Sequence, residues 1–547
     1  MRPRTGAAVF LSVLSAAGVL AATTAATSAT ASAATRPAFG RGHQNHNVLV
    51  PGDLLVSESH FINDPNIVAG KTQLPPNCTG SNCVTAIANG NYPFVFNNAT
   101  VDASFGVTSP LFLQQITQNG RPAGVIPVPT NELTTSFSSK SEAALNLSTD
   151  GNNLTFMGYV AQPDTVDTSN SNTPGVIDPT NPVPATAFRA VAQLSSNGKF
   201  TFTETNAYSG NNGRAAIEAN VNGKDLIYTA GNAGNGSNPQ PDGVILGAGA
   251  QLITPSNLPE KDQNPGTPDP VGSFSVAQLG DKADKVGKDD NFRGLTIFDN
   301  VLYYTKGSGS NGVNTVYFLD TTGKACPDGV GVPQPGATLP TTGLSVDEAT
   351  LQSGGLPSNM CILKGFPTAL AKNATDASDF PFGLFFANAD TLYVADEGAG
   401  DTTFANGTFT AAAASTTAGL QKWVFNKTAG EWQLAYTLQN GLNLGAPYRV
   451  PGYPTGINSV TGLPWAPATD GLRNLTGKVN PNGTVSIWAV TSTVSGGGDQ
   501  GADPNKLVEI TDNLRDTSLP SHESFNTVVP AQFNQVVRGV SFTPGTR

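Results

Sequence analysis

A short sequence pattern recurs six times along the chain, with one large residue at the same position in each copy. The pattern puts side chains suited to binding anions at equivalent points of a repeat. In every copy the large residue is followed by a small or polar residue and then by an apolar strand. Arginine is always charged, and its fork of donors binds carboxylate, sulfate or phosphate groups bidentately. The large residues of the copies are Glu142, Arg214, Arg293, Phe382, Arg473 and Arg538.

If these positions lie close together in the folded protein, the arginines form a region of positive charge in an otherwise acidic protein. Like charges at close range need an anion or a carboxylate between them. Two interpretations stay open: the arginines bind an acidic ligand, or each one ties its repeat to the next. The carboxylates that could lie among them are Glu58, Glu142, Asp290, Asp396, Glu397 and Asp470.

Groups for acid–base chemistry are few. His60 lies two residues after Glu58, whereas His43, His46 and His522 fall in a leader and in a late loop. Histidine and carboxylates can act as a general acid or base, or hold a metal ion. Glu58, His60, Asp396 and Glu397 are therefore the candidate catalytic residues, with calcium or another divalent metal as a candidate cofactor.

Several familiar catalytic motifs are missing from the sequence. It has no H-E-x-x-H zinc motif and no G-x-S-x-G nucleophile elbow. The charged stretch 281–290 lacks the spacing of a calcium-binding loop. The sequence does not decide whether the protein is an enzyme.

The N-terminus is typical of a secretory signal. Arg2 and Arg4 precede an apolar run, and Ala31-Ser32-Ala33 matches a cleavage site. We interpret residues 1–33 as a signal peptide, 34–47 as a flexible leader and 48–547 as the folded domain. The run is shorter than the roughly 20 residues that span a bilayer, so we predict a secreted, extracellular protein without membrane insertion.

The four cysteines suit an oxidising compartment. Cys78 and Cys83 enclose a short loop, and Cys326 and Cys361 bracket an insertion rich in proline and glycine. Pairing of sequence neighbours is the simplest of the three possible connectivities, and it predicts two disulfides that fix loops.

The charge balance limits the partners. The formal net charge is −11, and it becomes −13 when the signal, with two arginines and no acidic residue, is removed. A uniformly acidic field disfavours nucleic acids and anionic membrane surfaces. We expect a monomer whose partner is an anionic small molecule or a glycan.

Hairpins of two short strands recur with the repeat. Tight turns such as Asn222-Gly223 and Asp299-Asn300 separate apolar strands, and third strands such as Val316–Leu319 follow. Units of about four short strands, repeated radially, are the blades of a β-propeller. The pattern predicts an all-β, single-domain propeller.

The ring closes through both ends of the sequence. The segment Asp53–Glu58 has no first strand before it, and the copy at Arg538 has no partner strands after it. Joined, they complete one blade and remove an open edge. This count gives six blades, with a seventh blade near residues 62–135 as the alternative.

The segment Asp390-Thr391-Leu392-Tyr393-Val394-Ala395-Asp396 resembles the strand phrase of NHL-repeat propellers and of the gluconolactonase-like superfamily. The resemblance covers one blade closely and the others as an apolar pattern. The resemblance implies a divalent metal at the channel mouth that is held by carboxylates. Glu58 and Asp396 would be two of these metal ligands. The arginines depart from that pattern.

Three functions follow as hypotheses. The first is a binding protein that takes a uronic-acid or sulfated glycan, or another small acid, at the channel mouth. The second is a metal-assisted hydrolase, lactonase or lyase at the same site. The third is a surface scaffold whose arginines are purely structural.

Overall fold

The computed structural model describes residues 48–61, 68, 70–74, 84–85, 107–137, 139–177, 181, 183, 185–232, 245–246, 249–255, 269–274, 291–308, 312–344, 359–372, 379–459, 461–497 and 500–546. Their sheets form a six-bladed β-propeller, so the prediction of the fold is confirmed. The signal, the leader, Asp290 and the pair Cys78 and Cys83 lie outside the described residues.

Each blade is an antiparallel sheet that begins with an inner strand at the ring axis and continues outward. Blade 1 contains Gln535–Phe542, Leu54–His60, Leu111–Ile116 and Pro122–Pro127. Blade 2 contains Asn146–Leu147, Asn153–Tyr159, Arg189–Ser195 and Phe200–Thr205. Blade 3 contains Gly213–Val221, Lys224–Gly231 and Ala250–Ile253.

The second half of the ring follows the same plan. Blade 4 contains Leu295–Phe298, Val301–Lys306, Thr315–Leu319 and Met360–Leu363, and Val330–Gly331 adds a parallel outer strand. Blade 5 contains Pro381–Asn388, Thr391–Asp396, Gly419–Asn426 and Glu431–Leu438. Blade 6 contains Ala468–Val479, Thr484–Val494, Leu507–Asn513 and Asn526–Val529.

Short elements lie in the connections between and within the blades. They are a helix at Thr410–Ala414, 3-10 turns at Thr168–Asn170 and Gln500–Ala502, and the strand pairs Gln73–Leu74 with Val84–Thr85, Thr108–Ser109 with Thr135–Ser136, Ile245–Leu246 with Ser273–Phe274, and Phe404–Ala405 with Thr408–Phe409. No helix of the described residues is long and apolar enough to cross a membrane.

Blade 1 closes the ring as predicted. Leu54–His60 pairs antiparallel with Gln535–Phe542, in a register that sets Ser57 opposite Gly539. Residues 111–127 supply the outer strands of this same blade, so these residues belong to blade 1 and do not form a seventh blade.

The hairpin turns have the backbone that their sequences predict. Asn222 and Gly223 both have positive φ, at 54° and 81°, and so do Asp299 and Asn300, at 49° and 61°. Two successive positive φ angles define the type I′ turn, whose twist matches that of the strands it joins.

The small residues after the large ones let the inner strands meet at the axis. A Cβ on Gly294 would lie 2.2 Å from the carbonyl oxygen of Phe382, and one on Gly539 would lie 2.6 Å from the nitrogen of Leu145. Ala144 and Ala215 form a bridge between the inner segments of blades 2 and 3. A cavity between these inner segments has a volume of about 10 Å³, on the order of one water molecule. The inner segments therefore close the channel at this level.

Apolar side chains fill the spaces between neighbouring blades, with the largest cluster spanning blades 3, 4 and 5. Cys326 and Cys361 form a disulfide, with their Cα atoms 6.0 Å apart. It ties the insertion after the third strand of blade 4 to the strand Met360–Leu363, as pairing of sequence neighbours predicts.

Candidate anion-binding site at the channel mouth

Four of the six repeated positions lie on the inner strand of a blade, whereas Arg293 and Glu142 precede the strands that begin at Leu295 and Asn146. Arg214, Arg293, Arg473 and Arg538 are 4%, 9%, 4% and 4% exposed. Their guanidinium groups contact residues of neighbouring blades or of the segments that lead into them. The arginines therefore belong to one buried polar layer, in which charge has to be balanced by partners.

Glu397 lies between two of the arginines. This residue follows the second strand of blade 5 directly. Its Oε2 accepts a hydrogen bond from Nε of Arg473 at 3.2 Å, and its Oε1 lies 3.7 Å from Nε of Arg293. Blade 5 thus supplies a carboxylate at the point where its repeated position is Phe382 and not arginine.

Arg214 lacks such a carboxylate. Within the described residues, both of its hydrogen bonds leave from Nη1, to Oδ1 of Asn291 and to the carbonyl oxygen of Phe292. Its Nε is buried without a hydrogen-bond partner in this part of the chain. Burial and the neighbouring Arg293 lower the pKa of Arg214 well below its ordinary value, and Glu397 opposes this. Arg214 is a buried cation with an open edge.

The two arginines that contact Glu397 differ in how many of their donors are used. Arg293 donates from Nη1 to Oγ of Ser141 at 2.9 Å and from Nη2 to Oγ of Ser308. Arg473 bonds the described residues through Nε alone, so its two Nη groups make no hydrogen bond there. Burial lowers the pKa of Arg293, Glu397 opposes this, and Arg473 lowers it further.

Arg538 closes the layer at blade 1. It donates from Nε to Oγ of Ser59 at 2.9 Å and from Nη2 to the carbonyl oxygens of Ser136 and Phe137. These contacts tie the inner strand of blade 1 to the segment that leads into blade 2. The arginines therefore do join neighbouring blades, as one of the two interpretations expects.

Glu142 is fully buried and accepts four hydrogen bonds. They come from Oγ1 of Thr135 and the nitrogen of Ser136, from the hydroxyl of Tyr159, and from Nδ2 of Asn212. With its carboxylate oxygens occupied by the protein, Glu142 positions the loops around it. Phe382 is also buried and lines the closed channel.

A strap of three residues, Ser139–Ser141, lies across the mouth. Oγ of Ser139 accepts from Nδ2 of Asn212 at 3.2 Å, Oγ of Ser141 accepts from Arg293, and Nζ of Lys140 donates to Oε1 of Gln500 at 3.1 Å. These partners lie at the entrance of blade 3, in blade 4 and in blade 6. The strap holds Lys140 on the same face as the arginines.

Three buried carboxyl groups surround the layer and have raised pKa values, each because of burial. The pKa is about 8 for Asp396, about 6 for Asp470 and about 7 for Asp503. Asp396 accepts from the nitrogens of Phe380 and Gly398, and Asp503 accepts from the hydroxyl of Tyr453 at 2.5 Å. These groups lose their negative charge as the pH falls through the range from about 8 to about 6.

The predicted pair Glu58 and His60 lies on the other side of its strand from Ser59. Nε2 of His60 lies 3.3 Å from Oε2 of Glu58, which also accepts from Nε2 of Gln114 at 2.5 Å. Glu58 is buried, and its Oε1 has no partner among the described residues. The histidine ring contacts Phe112, with the centroids 4.4 Å apart. Among the described residues, the pair makes no hydrogen bond to the arginines, so it forms a separate polar cluster.

Within the described residues, one group has three potential metal ligands close together, namely Asp320, Cys326 and Cys361. The two cysteines are joined as a disulfide, so they do not offer thiolate ligands. The residues described at the mouth do not form such a group, and no metal site is assigned there.

Sequence reasoning missed Lys140, Ser141 and Asp503. Ser141 stands next to Glu142 in the repeat and could have been found from that position. Lys140 and Asp503 have no repeated counterpart, and their place at the mouth depends on how distant loops fold.

No protein-family model and no curated protein sequence matches the chain. Among solved structures, the chain is similar to a polysaccharide lyase, an ulvan lyase bound to an oligosaccharide of glucuronic acid and sulfated rhamnose. The identity is 11%, the match covers 88% of this chain and 95% of that one, and the TM-score is 0.30. It is also similar to the extracellular domain of a putative one-component system from B. thetaiotaomicron, at 10% identity and a TM-score of 0.23, over 79% of this chain and 58% of that one. These values identify neither a family nor an activity.

Proposed function

We propose that the protein is an extracellular binding protein that takes an acidic ligand at its channel mouth. The ligand is a uronic-acid or sulfated glycan, or another small acid. The observation that carries the proposal is the charge of the buried layer, where Arg293 and Arg473 contact one carboxylate, Glu397, and Arg214 bonds no carboxylate among the described residues. A bound anion supplies the missing negative charge.

The energetics support a ligand at this position. A buried charge without a partner is costly because it has lost its hydration. Arg214 carries this cost on its Nε edge, and Arg293 adds repulsion. An acidic group that bonds Arg214 removes both costs. The loss of this unfavourable electrostatic energy contributes favourably to the free energy of binding.

The test is thermal unfolding of the mature protein with a panel of acids. A ligand at 100 times its dissociation constant stabilises the folded state by about 2.7 kcal/mol. We expect an acidic saccharide to raise the melting temperature of the wild type and of Arg515→Ala, a control at an exposed arginine. Arg214→Ala and Arg473→Ala should fold and show a smaller shift. A panel that leaves the wild type unmoved contradicts the proposal.

A second candidate function, acid–base catalysis, is favoured by the pair His60 and Glu58. A carboxylate that holds a histidine ring is the arrangement of a general base with its orienting group. Turnover should then appear with lactone, ester or glycan substrates, in the presence of calcium, manganese or zinc. His60→Asn should abolish it and His522→Asn, at an exposed histidine, should not; equal rates in both variants reject this role.

A further inference from the structure

Two arginines at the mouth keep pairs of adjacent donors that bond none of the described residues, whereas Arg293 keeps only Nε, 3.7 Å from Oε1 of Glu397. One is Arg214 in blade 3, whose hydrogen bonds to the described residues leave from Nη1 while Nε has no partner there. The other is Arg473 in blade 6, which bonds the described residues through Nε and leaves both Nη groups for other partners. Two separate guanidinium edges therefore have donors that bond none of the described residues.

Each open edge has the geometry of a carboxylate or sulfate site. The Nε and Nη2 groups of a guanidinium point the same way and form two parallel hydrogen bonds with an oxyanion, and its two Nη groups do so at its end. Arg214 offers the first of these edges and Arg473 the second.

Glu397 stands between the two edges. It contacts Arg293, the neighbour of Arg214, through Oε1 and Arg473 through Oε2. A carboxylate has about four acceptor positions on its two oxygens, so Glu397 retains capacity for a hydroxyl donor. It also repels an acid placed next to it. The order across the mouth is therefore an anion site, an acceptor of hydroxyl groups, and a second anion site.

We propose that the mouth recognises a ligand with two acidic groups separated by hydroxyl groups, that is, an acidic oligosaccharide and not a single sugar acid. This inference rests on the proposed function and specifies its ligand class. One acid bonds Arg214, the second bonds Arg473, and a hydroxyl between them donates to Glu397. The two contacts act together, since the second forms within the complex that the first has made.

Calorimetric titration of the folded protein tests the inference. The ligands are galacturonic acid, its trimer, the fully methyl-esterified trimer as an uncharged match, and a galactose trimer sulfated on every ring. We expect the acidic trimers to bind at least tenfold more tightly than the monomer, and the ester not to bind. The tighter of the two acidic trimers identifies the acid as carboxylate or sulfate.

Variants locate the two sites. Arg214→Ala and Arg473→Ala should each reduce the affinity for the acidic trimer to within about threefold of the monomer's, while Arg515→Ala keeps the full preference. Monomer and trimer binding equally well to the wild type, with binding lost in Arg214→Ala, overturns the two-site inference and leaves the proposed function standing. Absence of binding by every acid overturns both.

Discussion

Two buried arginines, one inside blade 2 and one at the mouth, show what separates a structural cation from one suited to a ligand. Arg189 is fully buried and donates from all three nitrogens, to the carbonyl oxygens of Ser169, Ser171, Ala187 and Asn211 and to Oγ of Ser171. It also lies over the ring of Tyr159, 5.2 Å from the centroid. Arg214 is buried almost as deeply but bonds the described residues through one nitrogen.

Burial alone therefore does not distinguish the two roles. Carbonyl oxygens saturate the donors of Arg189, so nothing remains for a ligand to bond. Arg214 and Arg473 keep unused donors in a layer that is short of negative charge. The number of hydrogen bonds that the guanidinium donates within the protein distinguishes an arginine that stabilises the fold from one that can bind a ligand.

The largest effect is expected for Arg189→Met. The change leaves several buried carbonyl oxygens without donors, each costing about 1–3 kcal/mol. We expect the free energy of unfolding, measured in urea, to fall by about 3 kcal/mol or more, with anion binding retained at temperatures where the variant is folded. A loss below about 1 kcal/mol would contradict the structural role of Arg189.

Glu397→Gln should produce an intermediate loss of stability together with tighter anion binding. The variant removes the negative charge shared by Arg293 and Arg473, and hydrogen bonds to charged groups contribute about 1.5–3 kcal/mol. Urea unfolding and calorimetry with a small acid measure the two effects. Weaker binding of the small acid in Glu397→Gln would show that Glu397 does not compete with the ligand.

Arg214→Ala should change stability least among these variants. It removes two hydrogen bonds but also the repulsion by Arg293, so we expect the free energy of unfolding to stay within about 1 kcal/mol of the wild type. The affinity for an acidic trimer should fall to about that for the monomer. If Arg214→Ala lowers the free energy of unfolding as much as Arg189→Met does, Arg214 is a structural residue like Arg189.

The pH dependence should be gradual and have a defined sign. Asp396, Asp470 and Asp503 have pKa values of about 8, 6 and 7 in the folded protein, against about 3.9 for an unfolded aspartate. The folded state therefore binds protons more strongly, and their contribution to stability is present at pH 4 and is lost as the pH rises to 8.

Thermal unfolding between pH 4 and 8 measures this dependence. Asp396→Asn should make the melting temperature less dependent on pH near the upper end of this range. Protonation of the same groups leaves the arginines less neutralised, so small acids should bind more tightly at pH 6 than at pH 8. Affinity that rises with pH would contradict the assignment of these carboxyl groups to the mouth.

The repeated register was enough to predict the blades, their number and the closure through Leu54–His60 and Gln535–Phe542, because strand period, turn residues and repeat length are local properties. It also placed the arginines on or just before the inner strands. It did not distinguish Arg214 from Arg293, since both have the same place in the repeat. Their difference comes from Ser141 and Glu397, which belong to other blades. Arg189 gave no signal because its partners are carbonyl oxygens of loops.

Closure of blade 1 also bears on the order of folding. The pairing of Ser57 with Gly539 joins residues separated by almost the whole ring, and the chain entropy lost is about 3 kcal/mol larger than for a pair within a blade. Such a contact becomes favourable only after the blades between have condensed. Arg538 lies on that late strand, so we expect the mouth to be assembled in the final step and binding of the proposed anion to report that the whole ring has formed.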